Sequence, residues 1–76
     1  MKIETLNDVF KKVFDNEFLK ISRETTADNV DGWDSMTHIL LISTIEEKFS
    51  IEFSHKEVVR FKTVGDLLDS INLKLA

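Results

Sequence analysis

Asp31-Gly32-Trp33-Asp34-Ser35-Met36-Thr37-His38-Ile39-Leu40, continuing as Leu41-Ile42-Ser43-Thr44-Ile45-Glu46-Glu47-Lys48-Phe49, decides how this chain is read. Its first part is turn chemistry. Gly32 lets the backbone take positive φ, and Asp34 offers a side-chain oxygen to the unpaired N–H groups of a helix start. The second part contains neither Gly nor Pro and places apolar residues at Met36, Ile39, Leu40, Leu41, Ile42, Ile45 and Phe49, which predicts a helix from Ser35 to Phe49. Leu41, Ile45 and Phe49, with Ile42 beside them, form the core stripe; Ile39, Leu40 and Ser43 then turn toward the side shared with Ser35. Ser35 occupies the first helical position, where free N–H groups and the positive end of the macrodipole favour an anion attached to its hydroxyl. On residue type alone, polar filler is the more ordinary reading of Ser35.

Toward the N-terminus, Leu6, Val9, Phe10, Val13 and Phe14 make one apolar stripe and predict helix one from about Thr5 to Asp15. Thr5 and Asp8 read as its capping box, with Asp replacing the usual Glu. Between Asn16 and Trp33 the periodicity fails, and polar turn formers accumulate in Ser22-Arg23-Glu24-Thr25-Thr26-Ala27-Asp28-Asn29. So long a connection is uncommon in a compact domain and marks either function or a misplaced element. Phe18, Leu19, Ile21 and Val30 are expected to fasten it to the bundle, and Trp33 to pack its end against helix two.

Toward the C-terminus, Ser50-Ile51-Glu52-Phe53 reads as extended. Ser54 and Glu57 then form a capping box that opens a short helix through Val58, Val59 and Arg60. Thr63 caps a fourth helix with a stripe of Val64, Leu67, Leu68, Ile71 and Leu75. Gly65, near the start of that helix, is expected to cost little because helix ends fray. The fold class predicted is all-α: a four-helix bundle of three longer helices and one short helix, with a long loop between helices one and two, in a single domain over residues 1–76.

A chain of 76 residues supports one thin core and buries only about 60% of its unfolded surface. With 42% hydrophobic and 32% charged residues it is nonetheless globular in composition. A formal charge of −4 opposes nucleic-acid binding and suits contact with basic protein surfaces. The absence of cysteine excludes a disulfide framework and a thiolate metal site, so any chemistry that needs a thiol must import one. No apolar run approaches a membrane span, and Met1-Lys2-Ile3-Glu4-Thr5 lacks the core of a signal peptide, which points to a cytoplasmic protein.

Three specific chemistries fail on inspection. His38, three residues after Ser35, invites a Ser–His dyad, but a nucleophile also needs an orienting third group and an oxyanion site, for which so small a bundle has little room. His55, beside a helix cap, reads as solvated. Asn29, Asp31 and Gly32 suggest a calcium loop until the register is set. Gly32 at the sixth position puts Ala27 at the first and His38 at the twelfth, where Asp and a bidentate Glu belong, so no metal site is expected. A DNA-reading helix should be basic, whereas Ser35 to Phe49 holds one Lys against two Glu.

Taken together, Asp34-Ser35-Met36 after a Gly-containing turn, an apolar helix ending in Glu46-Glu47-Lys48-Phe49, and Ile51-Glu52-Phe53 resemble the acyl carrier protein family over nearly the whole chain. The resemblance implies that Ser35 bears a covalent 4'-phosphopantetheine drawn from coenzyme A, and that Asp34 is read by the phosphopantetheinyl transferase. It further implies a monomeric carrier, not an enzyme, holding acyl or aminoacyl groups as thioesters. A loading ligase for the acyl or aminoacyl group and downstream acyl-processing enzymes are the other partners so implied.

Met36 stands where that family commonly has Leu, a volume-conserving change. Thr37 and Leu40 stand where carriers of fatty acid synthesis usually have acids. Fatty acid biosynthesis, polyketide and other secondary metabolism, aminoacyl transfer and polysaccharide tailoring all stay open. Beside such a serine, Met36, Ile39, Leu40, Ser43, Glu46 and Glu47 read as a partner-binding face, and the short third helix as a mobile wall over the cargo. The residues by themselves also allow an unmodified helical interaction module that uses the same face.

Overall fold

The apolar stripes dictate where each helix sits. In the computed structural model, which describes residues 1–76, α1 (Ile3–Val13), α2 (Ser35–Phe49), α3 (His55–Arg60) and α4 (Val64–Leu75) follow one another, with a 3-10 turn at Ala27–Asn29 inside the long loop. Leu6, Val9 and Phe10 of α1, Leu41, Ile42 and Ile45 of α2, and Val64, Leu67, Leu68 and Ile71 of α4 meet in one core, to which the loop adds Ile21. Three longer helices and a short one make the all-α bundle that the periodicity predicts. Helix α3 buries no residue fully. A helix of six residues is marginal on its own in water, so contacts with its neighbours must hold it.

Helix α1 begins earlier than the sequence suggests. Lys2 is its N-cap and makes no side-chain cap bond, so the Thr5–Asp8 capping box is not the start of the helix. The reason lies at the other end of the chain. The Met1 ammonium donates to Asn72 Oδ1, and Asn72 Nδ2 donates to the Met1 carbonyl at 3.1 Å, which clamps the N-terminus onto α4 and lets the helix wind from Ile3. Its other end comes at Val13, short of the expected Asp15, which takes a left-handed φ of 50°.

The long loop is fastened by hydrogen bonds as much as by apolar contact. Asn7 of α1 donates from Nδ2 to the Leu19 carbonyl at 3.1 Å and accepts the Ile21 N–H on Oδ1 at 2.7 Å. At the start of α4, the Val64 N–H donates to the Thr25 carbonyl at 2.9 Å and the Gly65 N–H to the Arg23 carbonyl at 2.8 Å. These are helix N-terminal donors without an intrahelical acceptor, and the loop supplies one. Ile21 and Val30 are buried as expected, but Phe18 is 87% exposed and fastens nothing.

Gly65 also corrects the sequence reading. A Cβ there would lie 2.9 Å from the Arg23 carbonyl oxygen, so its missing side chain is what lets the loop lie on the helix. At the far end of the loop, Gly32 takes φ 87° and turns Trp33 inward. The indole meets the Phe10 ring edge-on at 5.2 Å and lies 6.0 Å from Phe14. Trp33 thus docks on α1 and, through the His38 ring, on α2.

Candidate functional site

Asp34 caps α2 from an extended backbone conformation. Its Oδ1 accepts the N–H groups of Met36 and Thr37, each at 3.0 Å, and Thr37 Oγ1 accepts the Asp34 N–H at 2.8 Å. The result is a reciprocal capping box in which Thr37 does the work usually given to Glu. The Thr37 N–H, then its hydroxyl, hold the Asp34 carboxyl below the ordinary carboxylate range. Asp34 therefore stays ionised, and it has already claimed two of the helix-start donors that the sequence offered to an anion on Ser35.

Ser35 is the first residue of α2 and is exposed. It stands at the mouth of an open cleft of about 420 Å³, with Trp33 and His38 on one side and Val58, Val59 and Phe61 on the other; Lys62 also lines it. The two walls come from different elements. One is the loop end and the first turn of α2, and the other is α3 and the residue after it.

Polar contacts hold the α3 wall at both ends. At its start, Ser54 Oγ accepts the Glu57 N–H at 3.2 Å, and Glu57 Oε1 accepts the Ser54 N–H at 2.9 Å. Glu57 also accepts from Ser70 Oγ at 3.2 Å and Lys74 Nζ at 3.1 Å, both on α4. The Ser54 N–H first, and then Lys74, lower the Glu57 carboxyl to about 2. Toward the other end, His38 Nε2 lies 3.3 Å from the Val58 carbonyl oxygen, while His38 Nδ1 lies 3.0 Å from Trp33 Nε1. Both ring nitrogens are thus engaged with groups other than Ser35, and a Ser–His dyad is not assembled.

The residues expected on a partner-binding face divide unevenly. Met36, Ile39 and Leu40 are 81%, 64% and 52% exposed, and Ser43 and Glu47 are exposed as well. Val59 of α3 adds a further exposed apolar side chain. Glu46 is half-buried, and its Oε2 accepts the Phe53 N–H at 2.8 Å, so it also pins the connection from α2 to α3. An open hollow of about 980 Å³ lies along the C-terminal half of α2, lined by Ser43, Glu46, Glu47 and Glu52 among others, and does not include Ser35. No helix is long and apolar enough to cross a membrane.

Sequence reasoning missed the Trp33–His38–Val58 bridge and the Glu57–Ser70–Lys74 clasp. Only the Ser54–Glu57 half of the clasp has a sequence signature, because a capping box is local. The other partners lie on different elements, and no spacing rule pairs them.

No protein-family profile matches the chain. Over 43 residues, 57% of its length, it is 44% identical to an acyl carrier protein of Thermosynechococcus vestitus; the match covers 53% of that protein, so the chain aligns with about half of this curated relative. The solution NMR structure of a holo acyl carrier protein from Geobacter metallireducens superposes with a TM-score of 0.91, at 38% identity over 96% of this chain and 84% of that one. Such identity along most of both chains, on one shared fold with a capped serine opening its second helix, establishes that this chain belongs to the acyl carrier protein family.

Proposed function

We propose that the chain carries acyl or aminoacyl groups as thioesters on a 4'-phosphopantetheine, taken from coenzyme A and attached to Ser35, and presents them to biosynthetic enzymes. The group would supply the thiol that a chain without cysteine lacks. The chain's own part is placement. A tether fixed at one point raises the effective concentration of cargo at each partner's active site.

What carries this reading is Ser35 itself, exposed at the first position of α2 beside the ionised Asp34, in a chain so similar to a holo acyl carrier protein. The surroundings fit such a group. The serine is open to an approaching enzyme, Lys62 offers a cation to a phosphodiester, and the apolar side chains of Trp33, Val58 and Phe61 line the same cleft. Asp34, held charged by Thr37, is the residue assigned to recognition by the phosphopantetheinyl transferase. Met36, Ile39 and Leu40 would form the apolar centre of the docking face, with Ser43 and Glu47 beside them and Glu46 sharing its charge with the fold. A loading ligase and downstream acyl-processing enzymes would use this face in turn, on a monomer in the cytoplasm.

Incubation with a phosphopantetheinyl transferase and coenzyme A, followed by intact mass measurement, tests the reading. The wild-type chain should gain the mass of one 4'-phosphopantetheine, and Ser35→Ala should gain none while keeping a native helical circular dichroism spectrum. An unchanged wild-type mass would favour the unmodified interaction module. Modification at Ser22, Ser43, Ser50, Ser54 or Ser70 would also overturn the assignment.

A further inference from the structure

We infer that His38 is a positioning residue: its imidazole supplies the hydrogen bond that closes the C-terminal half of α3 and so sets the spacing across the cleft beside Ser35. The inference rests on the chain's own bonds and goes beyond the carrier reading, because it holds whether or not Ser35 is modified.

The last four carbonyls of any helix lack an intrahelical acceptor role, and in a helix of six residues these are most of the helix. The Val58 carbonyl is one of them. Its i+4 donor would be the Lys62 N–H, but that group donates to Asp66 Oδ2 at 3.1 Å. His38 Nε2, at 3.3 Å and from the first turns of α2, takes its place.

The proton can be assigned by elimination. Indole Nε1–H is a donor only, so at 3.0 Å from Trp33 Nε1 the His38 Nδ1 must accept. The neutral ring then carries its proton on Nε2 and points it at Val58. The imidazole also stacks on the indole at 6.0 Å with 22° between planes. One side chain, one turn beyond Ser35, therefore joins the loop end, the start of α2 and α3. Because Ser54 and Glu57 hold only the start of α3, the loss of His38 should release its other end.

The two ring nitrogens can be replaced separately. His38→Gln puts an amide donor near the Nε2 position and gives up the bond from Trp33, whereas His38→Asn puts an amide oxygen near Nδ1 and gives up the bond to Val58. In the unmodified protein, amide hydrogen exchange over His55–Arg60 should be about three- to tenfold faster in His38→Asn than in wild type, with His38→Gln close to wild type. The middles of α1 and α4 should be unaffected in both variants. Nitrogen-15 spectra of the wild-type imidazole should show the proton on Nε2. Equal exchange in wild type and both variants would overturn the inference. So would an equal rise in both variants, or a proton on Nδ1. Should His38→Asn fail to fold, the wild-type tautomer and the His38→Gln exchange still decide the matter.

Discussion

Replacing Gly65 by Ala should destabilise this protein, although in most helices the same change stabilises. Within a helix interior Ala is favoured over Gly by about 1 kcal/mol, and at the second residue of α4 less than that is on offer. Against it stands a Cβ placed 2.9 Å from the Arg23 carbonyl oxygen and 3.4 Å from the Arg23 Cβ. Ordinary carbon–oxygen contacts lie at about 3.3 Å or more, so the loop must retreat by several tenths of an ångström. That retreat stretches the Gly65–Arg23 and Val64–Thr25 hydrogen bonds, now 2.8 and 2.9 Å, each worth about 0.5–1.5 kcal/mol. Overpacking of this kind costs roughly 1–3 kcal/mol, so the net effect should be a loss of about 1–3 kcal/mol. For a domain of 76 residues this lowers Tm by roughly 5–20 °C. Thermal unfolding followed by circular dichroism reads the shift, and faster exchange of the Val64 and Gly65 amides would locate it. A Tm equal to or above that of the wild type would refute the reasoning, because it would mean that the loop does not rest on α4 as described.

Three further substitutions probe the α3 clasp and the docking face. The Glu57 carboxyl is lowered to about 2 from an ordinary 4.5, so its stabilising contribution is fully present above about pH 4.5 and is lost as pH falls through about 2. The Tm difference between wild type and Glu57→Gln should accordingly be constant near neutral pH, shrink below about 4.5 and vanish near 2; a difference that persists unchanged at pH 2 would rule the clasp out. On the exposed face, Leu40→Glu should chiefly speed dissociation from the transferase, whereas Glu47→Gln should slow association and flatten its salt dependence. If binding kinetics ignore both substitutions while circular dichroism stays native, α2 is not the docking face.

Most of the architecture is legible in the sequence because its causes are local. The stripe Leu6, Val9, Phe10 repeats with the helical period and is buried, as are Leu41, Ile42 and Ile45, and Val64, Leu67, Leu68 and Ile71. Capping boxes pair residues only three apart, so Asp34, Ser54 and Thr63 announce three helix starts. The start of α1 is the one misplaced: the Thr5–Asp8 pair has the spacing of a capping box but is not the cap, and the actual start depends on Asn72 at the opposite end of the chain. Phe18 stays exposed for a related reason: apolar character shows what could be buried, but whether the loop brings it inward depends on where Asn7 holds Leu19 and Ile21.

By itself the sequence determined the helical class, the long loop, and a capped serine at the head of an apolar helix, all properties of residues within a turn or two of one another. Tertiary structure alone decided that Gly65 must lack a side chain because Arg23 lies on it, that Glu57 is clasped by Ser70 and Lys74, and that His38 joins Trp33 to Val58. These partners sit on separate elements with no period between them, and only the packing of α1, α2 and α4 brings them within hydrogen-bonding distance.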